Sequence, residues 1–375
     1  MWWAAVERAA RPLDAAVSGA VLAFHLVKLT GLLSNLATFP TLQPGAAPVP
    51  RPRTSILVPA RDEADRLPRA LPGLLAQPAE EILVLDDESS DATAQVVAAA
   101  ASRDRRLRLL TGVSRPPGWI GKNWACQQLA DAATGDLLVF CDADVTLRPG
   151  ALEAVWAQQV AQNADVFSVF PRQDTGSLGE RLLIPLIDEV LLSFLPHWLL
   201  RAPIPAAATA NGQLIAIHRR AYQALGGHRA VAGRIVEDVA LARRARRLGL
   251  TLGLALGGEL VRARMYEGYA AAVRGAGKSL RAVHGDSGVV LAASAVWHVT
   301  AYTWPWVRAT RRVASRRAWG VAAVLGPIER LLVNVKTGRG GYAEALLVPV
   351  TALAALPVYL LAARRTARWK GREYR

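Results

Sequence analysis

The sequence has only two cysteines, Cys126 and Cys141, in 375 residues. Two thiols cannot build a framework of several disulfides, and both fall inside apparent helix or strand runs. They read as small buried hydrophobes of a reducing compartment. Acidic residues are in deficit, 30 Asp and Glu against 45 Lys and Arg, for a net charge of +15. Such an excess suits nucleic acid, an anionic membrane surface or phosphorylated ligands. Zinc-finger spacings are missing and the basic residues cluster beside apolar segments, which favours the membrane and argues against nucleic acid. No small-residue cleavage site closes the first apolar stretch, so no removable signal peptide is expected. A glycine-rich phosphate loop after the first predicted strand is also missing, which counts against a nucleotidyltransferase.

What the chain has in excess is apolar surface. Hydrophobic residues make up 52% and the mean hydropathy is +0.20. A soluble enzyme is usually more polar, so part of the chain is expected in lipid. Residues 15–33 are nearly as long as the roughly 20 apolar residues that span a bilayer. His25 and Lys28 interrupt them, leaving an interfacial anchor as the alternative. Pro40, Pro44, Pro48, Pro50 and Pro52 mark a linker. Apolar segments return at 288–307, 318–335 and 343–363. The middle one holds Glu329 and Arg330, which are costly in lipid unless they face protein. Pro349 and Pro357 interrupt the last.

Charge gives a conflict. Arg308, Arg311, Arg312, Arg316 and Arg317 fill one loop, and the tail after residue 363 is also basic. The positive-inside rule places both in the cytoplasm with the middle domain. Spanning by every segment would put one of them outside. A further apolar stretch, 182–200, is broken by Pro185 and Pro196 and reads as interfacial, with a core helix over the sheet as the alternative.

These features predict four parts: an N-terminal membrane anchor (1–40), a Pro-rich linker (41–52), an α/β domain (53–285) and C-terminal membrane-associated helices with the basic loop and tail (286–375). In the α/β domain, strands are predicted at 55–59, 81–85, 107–110, 137–141 and 166–170. Helices are predicted at 62–76, 91–102, 122–133 and 149–162, with Asp91 as a cap and Gly135 as a helix-ending residue. This alternation predicts a mostly parallel central sheet covered by helices. Ligands of such sheets bind outside the carboxyl ends of the strands.

Acids sit at those ends. Asp86 and Asp87 close one strand, and Asp142 and Asp144 close another. Two carboxylates converging there suit a hard cation, Mn2+ or Mg2+, bridging them to a diphosphate. Each pair alone is explained as ordinary turn chemistry; together, one βαβα length apart, they favour a site. Glu237 and Asp238 open a third acidic segment, where they also suit a helix dipole. Lys122 reads equally as a phosphate contact or a solvated lysine. Trp119 and Trp124 could stack on a ligand, although packing is the commoner use. Asn211 and Gln213 precede an apolar strand, where they meet acceptor or sugar hydroxyls or cap local backbone. His228 and His284 lie outside any metal-ligand spacing and read as structural.

In order, VPARDEADRL (58–67), DDESSDAT (86–93), CDADV (141–145), GGH (226–228) and VEDVALARRARRLG (236–249) resemble the family 2 glycosyltransferases. PPGWIGKNWACQQ (116–128) and ANGQLIAIHRRAYQALGGH (210–228) are similar to membrane members associated with carotenoid and hopanoid pathways. The resemblance implies a GT-A fold and transfer of one hexose, with inversion, from a nucleotide sugar, UDP-hexose being the expected donor. A membrane lipid of carotenoid, hopanoid or polyprenyl type is the implied acceptor. Pro59, Ala60, Arg61, Glu63 and Asp87 would then bind the nucleotide, joined by Lys122. Asp142 and Asp144 would hold donor and metal, and Asp238 would act as catalytic base. Asn211, Gln213 and Glu237 would meet the acceptor. The Gln-x-x-Arg-Trp motif of processive synthases is not found between 239 and 290, which disfavours polymer synthesis. A membrane scaffold that binds nucleotide sugars without transfer is the rival reading. The expected location is the cytoplasmic membrane, with the catalytic domain facing the cytoplasm.

Overall fold

Short β-branched and leucine runs bounded by turn residues become strands. They are β1 (Thr54–Ala60), β2 (Glu81–Asp86), β3 (Leu107–Thr111), β4 (Leu137–Cys141), β5 (Val145–Leu147), β6 (Val166–Phe170), β7 (Arg172–Gln173), β8 (Leu214–His218), β9 (Leu252–Leu256) and β10 (Val261–Ala263). The computed structural model describes residues 2–45, 50–311, 313–364, 367–369 and 372–374. Pro48, Arg312 and the tail's Arg365, Lys370 and Arg375 lie outside the described residues.

Among the described residues, one sheet has the order β3-β2-β1-β4-β8-β6-β9 and a smaller one the order β5-β10-β7. In the large sheet only β8 runs antiparallel to its neighbours. Alternate residues of each strand enter opposite layers. Ile56 and Val58 pack with Leu67, Leu74 and Val97, whereas Leu57 packs with Leu129 and Leu138. Burial on both faces accounts for nearly unbroken hydrophobic strands.

The predicted helices appear as Leu67–Leu75, Thr93–Ala101, Gly121–Ala132 and Ala151–Ala161. Two details differ from expectation. The residue at the N-cap of the second helix is Ala92; Asp91 accepts instead from the Thr93 N–H (2.9 Å) and the Ala64 N–H (3.0 Å), tying two loops together. Gly135 lies beyond the helix end at Ala132, and a Cβ there would come within 2.6 Å of Ser55 Oγ. Its role is close approach to β1.

The chain divides into two compact units. Phe39–Asp174 with His197–Met265 holds both sheets, while Met1–Thr38, Thr175–Pro196 and Tyr266–Arg375 form the other. The expected domain 53–285 therefore gives up 175–196 and 266–285 to the helical unit. The expected linker also starts late. The Leu256 N–H donates to the Pro40 carbonyl and the Leu42 N–H to the Leu256 carbonyl, both at 2.8 Å, so this segment already edges β9.

Within the helical unit, the helix Trp2–Thr38 extends well past the predicted 15–33. Among the described residues, Arg11–Thr38, Arg316–Thr337 and Tyr342–Ala362 are long and apolar enough to cross a membrane. The last is broken at Pro349 and Pro357, which begin its two α-helical parts. Asp14 accepts from Arg308 (2.5 Å), Ser315 and the Trp319 indole (3.2 Å), and Lys336 donates to the Leu36 carbonyl at 3.0 Å. The first two spans are thus parallel, and the arginine loop lies beside Asp14, at the end remote from Thr38. The 182–200 stretch is three short helices, Leu178–Leu183, Pro185–Phe194 and His197–Arg201. Asn35 donates to the carbonyls of Leu192 (2.8 Å) and Leu195 (3.0 Å), so Pro185–Phe194 packs on the first span.

The charged residues that weakened two predicted spans face one another. Lys28 Nζ contacts Glu189 at 2.6 Å and Glu329 at 2.8 Å, His25 Nδ1 lies 3.0 Å from Glu329, and Arg330 lies 3.2 Å from Glu189. All five are buried. Polar groups in an apolar bundle are tolerated when each finds a partner. Lys28→Met takes the shared cation from two buried carboxylates, leaving Glu189 with Arg330 and Glu329 with His25. It should destabilise the helical unit by roughly 3–5 kcal/mol, read as a lower thermal unfolding midpoint in detergent.

Candidate active site

Five elements deliver acids or their partners to the carboxyl end of the large sheet. β1 and β2 end beside each other, with Ala60 in register with Asp86. The Asp87 N–H donates to the Ala60 carbonyl (2.8 Å), and Arg61 donates to the Asp87 carbonyl (2.5 Å). The two loops that follow are stitched by Glu63 N–H to Thr93 Oγ1 (2.8 Å) and Ser90 N–H to Asp62 Oδ1 (2.7 Å). Pro59, Ala60, Arg61 and Asp87 therefore stand together as expected. Asp86 instead turns its carboxylate to the Ser89 N–H at 3.3 Å.

β4 ends at Cys141, and Asp142-Ala143-Asp144 forms a turn into β5. The two acids meet different environments. Asp142 meets Lys122 Nζ at 2.8 Å. Asp144 makes no ion pair among the described residues. It accepts from Gln213 Nε2 at 3.3 Å. The two acidic strand ends are not adjacent, because β1 lies between β2 and β4, yet parallel pairing leaves them on one edge.

Lys122 opens the helix Gly121–Ala132, and its ammonium is held by protein groups. Its Nζ also lies 3.1 Å from Glu237 Oε1 and 3.2 Å from the Gly212 carbonyl. Glu237 and Asp238 begin the helix Glu237–Arg247. Asp238 accepts from the Gly212 N–H (2.7 Å) and from the Val239 N–H (2.8 Å). Glu237, expected at the acceptor, is thus buried and ion-paired. Asn211 caps local backbone, accepting from the Gln213 N–H at 2.8 Å. Gln213 is buried and donates to Asp144.

Sequence reasoning missed Gly212. A Cβ there would lie 3.0 Å from Glu237, 3.2 Å from Asp238 and 3.2 Å from Lys122. A glycine there lets the N–H reach one acid and the carbonyl take the ammonium without a methyl crowding the three charged ends. It also missed Gln173, whose Nε2 donates to Gln213 Oε1 at 2.7 Å. Gly212 stood between two flagged residues, which was its one signal; Gln173 had none.

Burial, then the neighbouring Glu237, raises Asp238 to about 7. Glu237 goes the other way: burial raises it, but Lys122 and backbone donors outweigh this and hold it below the usual range. Burial also raises Asp144, to about 6, with Asp142 and Glu63 adding repulsion. Asp142 is likewise raised by burial, against the pull of Lys122. Burial holds His228 neutral, down to about 4, and Tyr222 Oη bonds its Nδ1 at 2.8 Å, so it is structural. Trp119 and Trp124 meet edge to face at 5.0 Å, and Trp124 donates to the Val113 carbonyl at 2.8 Å, which fixes the loop before Lys122.

The donor set fits a hard cation. Asp144, Asp142 and Glu63 crowd negative charge that Lys122 offsets only at Asp142, and oxygen ligands suit Mg2+ or Mn2+. Among the described residues, no three His, Cys, Asp or Glu side chains are arranged to hold a metal alone. Such an ion would need ligands from a bound diphosphate.

A mostly parallel sheet with helices on both faces and acids at its carboxyl edge has the architecture of a GT-A fold. Residues 55–211 match the family model described as "Glycosyl transferase family 2". It is similar to 4,4'-diaponeurosporenoate glycosyltransferase of Staphylococcus haemolyticus (strain JCSC1435), 30% identical over 57% of this chain and 56% of that protein. The protein of the same name from Staphylococcus aureus (strain MRSA252) is 28% identical over 65% of each. The chain thus spans less than two thirds of either relative. Among solved structures, the mannosyltransferase PcManGT from Pyrobaculum calidifontis, in complex with GDP-Man and Mn2+, matches with a TM-score of 0.56 and 19% identity, covering 93% of this chain and 96% of that one.

Gly212→Ala should destabilise the sheet unit by about 1–3 kcal/mol, because the added methyl displaces the ends of three charged groups that bond one another. Chemical denaturation followed by tryptophan fluorescence checks this.

Proposed function

We propose that the protein transfers one hexose from a nucleotide sugar to an apolar lipid acceptor by direct displacement. The observation that carries this reading is the split between two adjacent acids. Lys122 keeps Glu237 ionised and occupied, while Asp238, raised to about 7, is held only by backbone N–H groups. A carboxylate poised near neutrality and free of a cation partner suits a general base. Asp238 takes the proton of the acceptor hydroxyl, whose oxygen attacks the anomeric carbon from the face opposite the leaving nucleotide diphosphate, breaking that bond and inverting the centre.

Pro59, Ala60, Arg61, Glu63 and Asp87 form the nucleotide end of the site. Asp144, with Asp142, would hold a Mn2+ or Mg2+ ion, which when bound offsets charge on the leaving diphosphate. Lys122 orients Asp142 and Glu237 and adds positive charge beside the diphosphate. The acceptor reading draws on the relatives named for diaponeurosporenoate and on three helices able to cross a membrane. UDP-hexose is the proposed donor class. The sheet unit is assigned to the cytoplasmic side of the cytoplasmic membrane. The intact acids speak against a scaffold without activity.

Detergent-solubilised protein incubated with radiolabelled UDP-hexoses, Mn2+ and extracted lipids should place label in the organic phase. Asp144→Ala and Asp238→Asn should each lower that transfer at least about 100-fold, a typical general-base contribution or more. Near-normal transfer by Asp238→Asn would remove it as the base. The pH profile follows from the raised carboxyl. Asp238 is protonated below about 7 and ionised above it. So kcat/KM should climb about tenfold per pH unit in the acid range and level off above neutrality. A profile flat from pH 5 to 8 would contradict the assignment.

A further inference from the structure

Two buried glutamines lie under the acidic turn and have no part in the steps above. Gln173 is 3% exposed and Gln213 5%. A hydrogen-bonded amide end has one favoured orientation, and Gln173 Nε2 is turned by the Pro171 carbonyl at 3.3 Å as well as by Gln213. Here the orientation is set from behind. Gln173 Nε2 donates to Gln213 Oε1 (2.7 Å), so Gln213 must present its N–H2 end forward, where it donates to Asp144 Oδ1 (3.3 Å). The main-chain N–H of Gln213 is held by Asn211 Oδ1 (2.8 Å), and the Gln213 carbonyl accepts from the Asp142 N–H (2.9 Å).

The small sheet fixes both ends of this chain of bonds. β5 starts directly after Asp144 and pairs with β10, placing Val145 opposite Ala263. Ala263 also lies in register with Gln173 of β7. The Arg264 N–H reaches the Asp144 carbonyl at 3.4 Å. One short strand thus spaces Gln173 and Asp144 by backbone pairing.

We infer that Gln173 and Gln213 are positioning residues that fix the Asp144 carboxylate for a divalent cation. Gln213 engages one oxygen, which fixes the rotation of the carboxylate and leaves the other oxygen for the ion. Outer partners of this kind commonly tune metal affinity by about 10–100-fold. The inference rests on the metal reading of the site.

The test measures Mn2+ binding, alone and with UDP, by electron paramagnetic resonance on the full chain in detergent. The variants are Gln213→Met and Gln173→Met, which keep the side-chain length and lose the amide, with Asp144→Ala as reference. Gln213→Met should weaken Mn2+ about 10–100-fold and Gln173→Met by a smaller factor, with the metal-free unfolding midpoint near wild type. If Gln213→Met does not fold, Gln173→Met, which leaves Gln213 in place, decides alone. Wild-type affinity in the glutamine variants, with loss in Asp144→Ala, would overturn the inference and leave the proposed function standing. No Mn2+ binding by the wild-type protein under either condition would overturn both.

Discussion

The site depends on the ammonium group of Lys122. Five acids crowd the carboxyl edge of the sheet, Glu63, Asp142, Asp144, Glu237 and Asp238, and their mutual repulsion opposes folding of that edge. Lys122 meets two of them and a backbone carbonyl at once: Asp142 from the β4 turn, Glu237 from a helix start, and Gly212 before β8. Three separate stretches of chain are thereby tied to a fourth. Backbone N–H groups at a helix start, and the bare Gly212, then accommodate Asp238 without a second cation.

This arrangement sorts neighbouring acids into roles. Glu237 and Asp238 are adjacent in sequence, yet one is held ionised by a cation and the other rises to about 7. The DxD pair is sorted in the same way, with Asp142 on Lys122 and Asp144 on an amide. Pushing paired titratable groups apart is how one site supplies both a fixed charge and a base. The helical unit solves a related problem differently. There, Lys28, Glu189, Glu329 and Arg330 cancel one another inside an apolar bundle.

Much of this was legible in the sequence because the signals are local. The strands ending at Ala60, Asp86 and Cys141 follow from apolar runs capped by turn residues, and the acids follow from where those runs stop. Five ordered motifs carried the resemblance to family 2 glycosyltransferases before any geometry, and residues 55–211 match that family's model. What was not legible is pairing across distance. Nothing in GWIGKNWA says that Lys122 faces Glu237, 115 positions later. Of the two readings of Asn211 and Gln213, the local one holds for Asn211, which accepts from the Gln213 N–H, whereas Gln213 is buried against Gln173, a partner 40 positions earlier. His25 and Lys28 weakened a span that they in fact stabilise, since their partners lie some 300 residues away. The domain boundary at 285 slipped for the same reason: Thr175–Pro196 packs on a helix that precedes the sheet in sequence.

The central claim is a single displacement driven by Asp238 in a site organised by Lys122. The most direct test is the anomeric configuration of the transferred sugar, read by proton NMR coupling constants of the isolated glycolipid. The account predicts the configuration opposite to that of the donor. Retention of the donor's configuration would contradict it.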